Sequence, residues 1–482
     1  MMPTTLSQFV NNNRERQKRY LTISRKIKTG LALLLGFGFL LFSDTHANAK
    51  ELSANISGKG SSITVTSKDG SLIGSIYVKW NKSVKPYELI TDSETLSCGE
   101  YGFLHEFIAL DNPSTAVTFS LPAEDPMGIY SLRIFTDNNV PADVQIWQPP
   151  CERADILLVS AHSDDEILFM GGIIPTYGAQ QGARVQVAYM TEFWTTTPVR
   201  EHEKLDGLWE DGLRYYPVCG NFKDVYSENL ADAEKKYDLD AMTSYVAEII
   251  DLFQPQVVVT HDFNGEYGHG FHMLTAKAVA AALETAAFDV PKAYFHLYPE
   301  NMIHMELNVP LPSMGDRTAL DVAKSAYLQH KSQQWCWFYV SDTYKYSCAD
   351  FGLYKTTVGV DEEPSMLDHI VLYAEQERLE EERLEALRLE EERLEKERQE
   401  QAVQAKVAAI RSDIERQQKE AEDSLLSASR ELEQIEQDLK AARNRTAILM
   451  IGCCILLLLC ILYLFRYFSR SKQRQREWKD EE

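Results

Sequence analysis

At 482 residues the chain is too long for one ordinary domain. A formal net charge of −23 argues against nucleic acid as a partner, because phosphate backbones are held by Lys and Arg. Of the cysteines, Cys453, Cys454 and Cys460 share one apolar run, and Cys98, Cys151, Cys219, Cys336 and Cys348 lie elsewhere; that odd set is not a disulfide scaffold.

Residues 1–49 read as a signal peptide. Arg14, Arg16, Lys18, Arg19, Arg25, Lys26 and Lys28 make a basic segment, Leu31–Phe42 is an apolar stretch of 12 residues, and Ala47-Asn48-Ala49 is a small-x-small cleavage site. Residues 50–150 read as a small β-sandwich. Runs such as Ser62–Thr66 and Ile76–Trp80 alternate, with turn residues such as Lys68-Asp69-Gly70 between them. Its aromatics Tyr77, Trp80, Tyr87, Tyr101 and Phe103 have two uses: stacking on sugar, or, more commonly for such rings, core and interdomain packing.

Residues 151–368 alternate strand and helix signals. Asp155–Ser160, Val185–Met190 and Gln256–Thr260 read as buried strands; Arg200–Tyr216, Leu239–Phe253 and Phe271–Ala286 read as helices. That alternation predicts βαβ units and a mostly parallel, Rossmann-like sheet. Directly after the first strand comes Ala161-His162-Ser163-Asp164-Asp165-Glu166, leading into an apolar helix start at Ile167. α/β sheets place their sites at the carboxyl ends of strands. Ser163 with Glu166 reads as a capping box, and acids suit a helix N-terminus. Capping does not account for His162. A divalent ion takes neutral imidazole and carboxylate, and His162 and Asp165, three apart across the turn, could face one point. Asp164 then stands where a base would act on water. After the Gln256–Thr260 strand, His269 and His272 sit three apart at a helix start and share a face. Alone, that pair is weak evidence; two such groups past two strands of one sheet point to a metal site.

Residues 369–445 are charged and helical. Arg-Leu-Glu recurs from 378, 383, 388 and 393, and a five-residue period puts the leucines on no single stripe, so a solvated helix laced with Glu–Arg pairs is expected. Farther on, Val403, Val407, Ile410 and Ile414, then Leu425, Leu432, Ile435 and Leu439, keep heptad-like spacing, which makes a coiled coil and a homo-oligomer through this stalk an open expectation. Residues 446–467 include 19 uncharged residues, Ala447–Phe465, near the length of a membrane span, and 468–482 form a basic tail. Together with the signal peptide this predicts a single-pass cell-membrane protein with its catalytic domain extracellular, tethered by the C-terminal helix. The expected fold class is α/β, preceded by the sandwich and followed by a long helix and a transmembrane helix.

The residues at 161–166 and 268–272 resemble the two motifs of the PIG-L/LmbE family of zinc-dependent de-N-acetylases, Ala/Pro-His-Pro-Asp-Asp-Glu and Gly-His-Pro-Asp-His. The resemblance covers roughly 153–345, with lesser marks at Thr191-Glu192, Arg200, Glu203 and Lys331-Ser332-Gln333. It implies an LmbE-like fold, a Zn2+ ion held by His162, Asp165 and His272, and Asp164 as general base. His269 matches the histidine that serves as general acid or oxyanion stabiliser, and Tyr267 a tyrosine that polarises the amide carbonyl. The implied activity is removal of an N-acetyl group from an N-acetylglucosamine-containing glycan or glycolipid, an amidase reaction. Two positions depart from the family pattern: Ser163 replaces Pro, and Gly270-Phe271 replaces Pro-Asp. The second removes the acid beside His269, for which Asp262 or Glu266 are the candidate substitutes. A glycan-binding envelope protein with a degenerate site is the alternative, disfavoured because a binder needs no base beside a metal.

Overall fold

A computed structural model describes residues 49–123, 128–192, 198–445, 457 and 459–469, in two units divided after Leu379. The signal-peptide reading falls on residues outside the described ones, as does most of the 446–467 span.

In the first unit the chain begins as two antiparallel sheets. Its strands are β1 (Glu51–Leu52), β2 (Ala54–Lys59), β3 (Ser62–Ser67), β4 (Ile73–Trp80), β5 (Tyr87–Ile90), β6 (Thr95–Cys98), β7 (His105–Ser114), β8 (Ala116–Ser120) and β9 (Ile129–Phe135). One sheet runs β1-β9-β4-β7 and the other β2-β3-β8-β5-β6. Alternation makes the sandwich: β3 turns Ile63 and Val65 inward and Ser62 outward. Four of the five flagged aromatics (Tyr77, Trp80, Tyr87 and Phe103) are buried, and Phe103 stacks on Tyr216 of the following region at 4.5 Å. They are packing residues, not a sugar-stacking face.

The next region holds β10 (Ile156–Ser160), α1 (Asp165–Leu168), β11 (Val185–Thr191), α2 (Val199–Glu210), β12 (Val218–Phe222), α3 (Leu230–Lys236), α4 (Leu239–Phe253), β13 (Val257–Thr260), the single turn α5 (Gly265–Gly268), α6 (Gly270–Thr285), β14 (Lys292–His296), β15 (Met302–His304), the short pair β16 (Pro310–Leu311) and β17 (Arg317–Thr318), α7 (Ala319–Tyr327) and β18 (Asp350–Thr356). A seven-stranded sheet runs β12-β11-β10-β13-β14-β18-β15. β10 pairs in parallel with β11 and β13, as do β11 with β12 and β13 with β14; β18 is antiparallel to β14 and β15. The mostly parallel sheet is therefore as expected, with one reversed strand, β18, set between β14 and the edge strand β15. β10 is buried along its whole length, as a strand covered on both faces must be. From β10 the chain moves outward to β11 and β12, then returns to β13 on β10's other side. The carboxyl ends of β10 and β13 therefore flank the point where the winding reverses, which is where doubly wound sheets open a crevice.

The helix expected after residue 166 is only one turn long. Gly171 lies against α7, where a Cβ would come within 2.9 Å of the Ala323 side chain, and a π-helical segment, Ile174–Gln180, follows. The Arg200–Tyr216 helix ends earlier, at Glu210.

The final helix, α8 (Tyr373–Arg445), is 73 residues long. In the second unit, Arg388 pairs with Glu385 (2.8 Å), Arg393 with Glu390 and Glu397 (2.6 Å each) and Arg416 with Asp413 (2.9 Å), the one-turn pairs that support a solvated helix. Val403, Ile410, Leu425 and Leu439 of the heptad-like seam are exposed. The expected cell-membrane location with an extracellular catalytic domain is corrected: among the described residues no helix is long and apolar enough to cross a membrane. The long helix is too densely charged to do so.

Candidate active site

Two loops at the carboxyl edge of the sheet build the site. The first follows β10. Thr191 Oγ1 at the end of β11 donates to the Ala161 carbonyl (2.9 Å), and the Ala161 N–H donates to His261 Nε2 (2.9 Å), so neighbouring strands grip the loop where it leaves the sheet. Asp164 is the N-cap of α1, at φ 146° and ψ −21°. L-residues rarely adopt that conformation, which costs ~1–3 kcal/mol and persists only where surroundings enforce it. Here Glu166 Oε2 accepts the Asp164 N–H (3.0 Å) and Arg200 donates to the Ser163 carbonyl (3.1 Å). The capping box expected from Ser163 does not form: Ser163 Oγ has no hydrogen-bond partner among the described residues. Only its Glu166 half is present, reaching Asp164 instead.

Three side-chain atoms converge beside this turn. His162 Nδ1 lies 2.9 Å from Asp165 Oδ2, His272 Nε2 lies 3.1 Å from the same oxygen, and the two nitrogens are 3.2 Å apart. A tetrahedral zinc site with bonds of ~2.0–2.1 Å has ligand–ligand edges of roughly 3.3 Å. The triangle is thus close to the size a metal would set, and its donors, two imidazoles and a carboxylate, are those zinc takes. Beside this triangle, His162, His269 and His272, and Asp165, His261 and His272, also bring donor atoms close enough together to hold an ion. His261 has other commitments. Its Nε2 accepts from Ala161, and its Nδ1 lies 3.1 Å from Glu266.

The second loop follows β13. Glu266 is its centre, its side chain fully buried and its backbone at φ 54° and ψ −81°. Its carboxylate faces three imidazoles: His261 Nδ1 (3.1 Å), His296 Nδ1 (3.0 Å) and His272 Nδ1 (2.6 Å). The contact to His272 fixes that ring, because an Nδ1–H donated to Glu266 leaves Nε2 as the ligand atom. Sequence reading missed His261, His296 and this use of Glu266. The available signal was position: His261 follows the last residue of β13, and His296 ends β14, next to it in the sheet.

Neither candidate acid reaches His269. Asp262 accepts from Asn264, and Glu266 is taken by the other histidines. His269 Nδ1 is buried without a hydrogen-bond partner among the described residues. The departures from the motif have a packing cause. Gly270 N–H donates to the Ser227 carbonyl (2.9 Å), a bond Pro could not make, and a Cβ at 270 would stand 2.0 Å from the Asn229 carbonyl oxygen. Phe271 is buried, 4.3 Å from Tyr237 and 5.3 Å from the His162 ring. Tyr267 stands 5.6 Å from His269 and 5.7 Å from His272, with Phe338 packed on it at 4.4 Å.

The charges follow from burial and these contacts. Burial and the adjacent Asp165 push Asp164 well above the carboxylate range, against the pull of Arg200, 3.5 Å away. Burial would raise Asp165 too, but His272 and His162 outweigh it and hold it well below. Burial opposes charge on His272, yet Asp165 and Glu266 lift it to about 10. Burial, then His272 and His162, depress His269 to about 2. Two of the lesser motif marks bond to each other: Glu203 accepts from Ser332 N–H (2.9 Å) and Oγ (2.6 Å), tying α2 to the segment that leads into Phe338.

Residues 157–283 match the family model described as PIG-L: GlcNAc-PI de-N-acetylase. A 1D-myo-inositol 2-acetamido-2-deoxy-alpha-D-glucopyranoside deacetylase of Mycolicibacterium gilvum is 34% identical over 169 residues, covering 30% of this chain and 59% of its own length. The protein of that name from Mycolicibacterium vanbaalenii is 30% identical over 189 residues, 34% of this chain and 65% of its own. The chain thus spans less than two thirds of the length of these relatives. Among solved structures, N,N'-diacetylchitobiose deacetylase from Pyrococcus horikoshii aligns at 16% identity over 37% of this chain and 71% of that one, with a TM-score of 0.26, too low for a shared fold to follow.

Proposed function

We propose that the chain is a zinc-dependent hydrolase that removes the N-acetyl group from an N-acetylglucosamine-containing glycan or glycolipid. The observation that carries this reading is the convergence of His162 Nδ1, Asp165 Oδ2 and His272 Nε2 to within 3.2 Å, with Asp164 next to a ligand. The family match over 157–283 and relatives named for deacetylating an acetamido-glucopyranoside support the choice of acyl group and sugar.

His162, Asp165 and His272 would hold a zinc ion, which would supply a Lewis acid and lower the pKa of water to ~7. With a dication beside it Asp164 would be ionised despite its burial, and it takes a proton from the attacking water as the water oxygen bonds to the acetamide carbon. Arg200 keeps that carboxylate oriented. Tyr267 and the free Nδ1 of His269 donate to the oxyanion that develops on the carbonyl. As the C–N bond breaks, Asp164 returns its proton to the departing nitrogen, giving acetate and a free amino sugar. Glu266 acts only through His272, as a positioning residue.

The test is elemental mass spectrometry of the purified protein, with acetate release measured across N-acetylated glycans before and after chelation. Zinc near one per chain and activity lost to chelator and restored by zinc are expected. Turnover that survives complete metal removal would overturn the reading.

A further inference from the structure

The segment Trp335-Cys336-Trp337-Phe338-Tyr339 alternates direction although it is not a strand. Cys336 and Phe338 turn inward. Cys336 Sγ lies 3.0 Å from the Tyr327 hydroxyl, and Phe338 packs on Tyr267 (4.4 Å) and Phe169 (5.8 Å). Val340 beyond them is in the core. Trp335, Trp337 and Tyr339 are left facing solvent, 81%, 62% and 53% exposed. The exposure has a rigid base, because the anchoring residues rest on the aromatic wall of the active site. Phe169 lies 5.8 Å from His272, and the Trp337 ring 6.5 Å from Tyr267. A further ring, Tyr226, is 68% exposed and 5.4 Å from His269. Large apolar surface held open beside a site marks a contact made in function.

We propose that Trp335 and Trp337 form a carbohydrate platform, on which successive rings of a neutral, N-acetylated glycan chain stack by their C–H faces while one unit reaches His162 and His272. The proposal rests on the deacetylase reading for the reacting unit and deepens it: the substrate is a chain, not a single sugar. The two tryptophans are at most ~7 Å apart along the backbone, the scale of a sugar ring, and the negative faces of indoles suit C–H donors. An anionic bilayer is the poorer occupant, since the chain carries a net charge of −23.

The test compares acetate release by the full chain from N-acetylglucosamine oligomers, dimer to hexamer. KM should fall with length in the wild type. In W335A/W337A the KM for hexamer should rise about tenfold, with kcat little changed, so that the hexamer-to-dimer advantage is lost; W337F should keep most of it. A KM independent of length in the wild type, or a length dependence that survives in W335A/W337A, overturns the proposal. So does co-sedimentation with neutral phosphatidylcholine vesicles that the double variant loses, which would make the strip a lipid contact. Quenching of tryptophan fluorescence by the hexamer reads binding without turnover. Quenching with no acetate release sustains the platform and sinks the chemistry; acetate release with length-independent KM does the reverse.

Discussion

The loop after β10 and the loop after β13 meet at one point but are built differently. The first is short, and its chemistry is local: His162, Asp164 and Asp165 lie within four positions, and the strained Asp164 is held by its near neighbour Glu166 and by Arg200. The second draws its order from afar. Glu266 is fixed by His261 after β13, His272 on α6 and His296 on β14, while Gly270 is pressed against Ser227 and Asn229. A compact motif carries reacting groups; a dispersed one carries the support that aims them.

The sharpest break in this comparison is Asp164→Ala. If the first loop holds the base, the variant should lose acetate release by about 10²–10⁴-fold while its metal content, read by elemental mass spectrometry, stays at the wild-type level. Retained activity would transfer the base to another group and remove the division of labour. In the second loop Glu266→Gln keeps shape and removes charge. Loss of a carboxylate that orients a metal-bound histidine costs about 10–100-fold in metal affinity, measurable by competition with a chromogenic chelator. Unchanged affinity would make Glu266 a packing residue alone.

The difference between the loops also explains what the sequence could reveal. His162, Asp164 and Asp165 are legible because their spacing is fixed by one turn, and His269 and His272 because they share a helix face. The parallel sheet was legible from its apolar runs, such as Ile156–Val159 within Asp155–Ser160 and Val257–Val259 within Gln256–Thr260, since the interior positions of strands covered on both faces are apolar. The cluster around Glu266 was hidden because its members, His261, Glu266, His272 and His296, spread over 36 residues and come together only once β13 and β14 pair. The single turn of α1 was hidden as well, because the close approach of Ala323 to Gly171 is a contact between distant residues. The exposed tryptophans at 335 and 337 give no local signal, since the same residue types in the sandwich are buried.

Glycine at 270 tests the second loop's packing at intermediate cost. Gly270→Ala puts a Cβ 2.0 Å from the Asn229 carbonyl oxygen, a backbone atom with no room to yield. Overpacking of this kind costs ~1–3 kcal/mol, visible as a lower urea midpoint. Gly270→Pro, which restores the family residue, also deletes the N–H that donates to Ser227 and should cost more than the alanine. A proline variant as stable as wild type would show that the Ser227–Asn229 segment moves freely.

Ser163→Pro makes the same restoration in the first loop, and its expected effect is the smallest. Ser163 Oγ has no hydrogen-bond partner among the described residues, so losing the hydroxyl forfeits no bond. The Ser163 carbonyl, which accepts from Arg200, is retained in proline. What changes is stiffness: proline fixes φ at about −65° and reduces the entropy of the unfolded chain, worth up to ~1 kcal/mol where the native backbone tolerates it. The prediction is a stability within ~1 kcal/mol of wild type, by urea denaturation, and acetate release within a few-fold. The same substitution thus separates the loops: nearly neutral where the turn is held by groups that proline keeps, and costly where the backbone N–H itself is the tie. A Ser163→Pro variant as damaged as Gly270→Pro would mean that the first loop also depends on its amide at that position, and that the two loops are held in the same way.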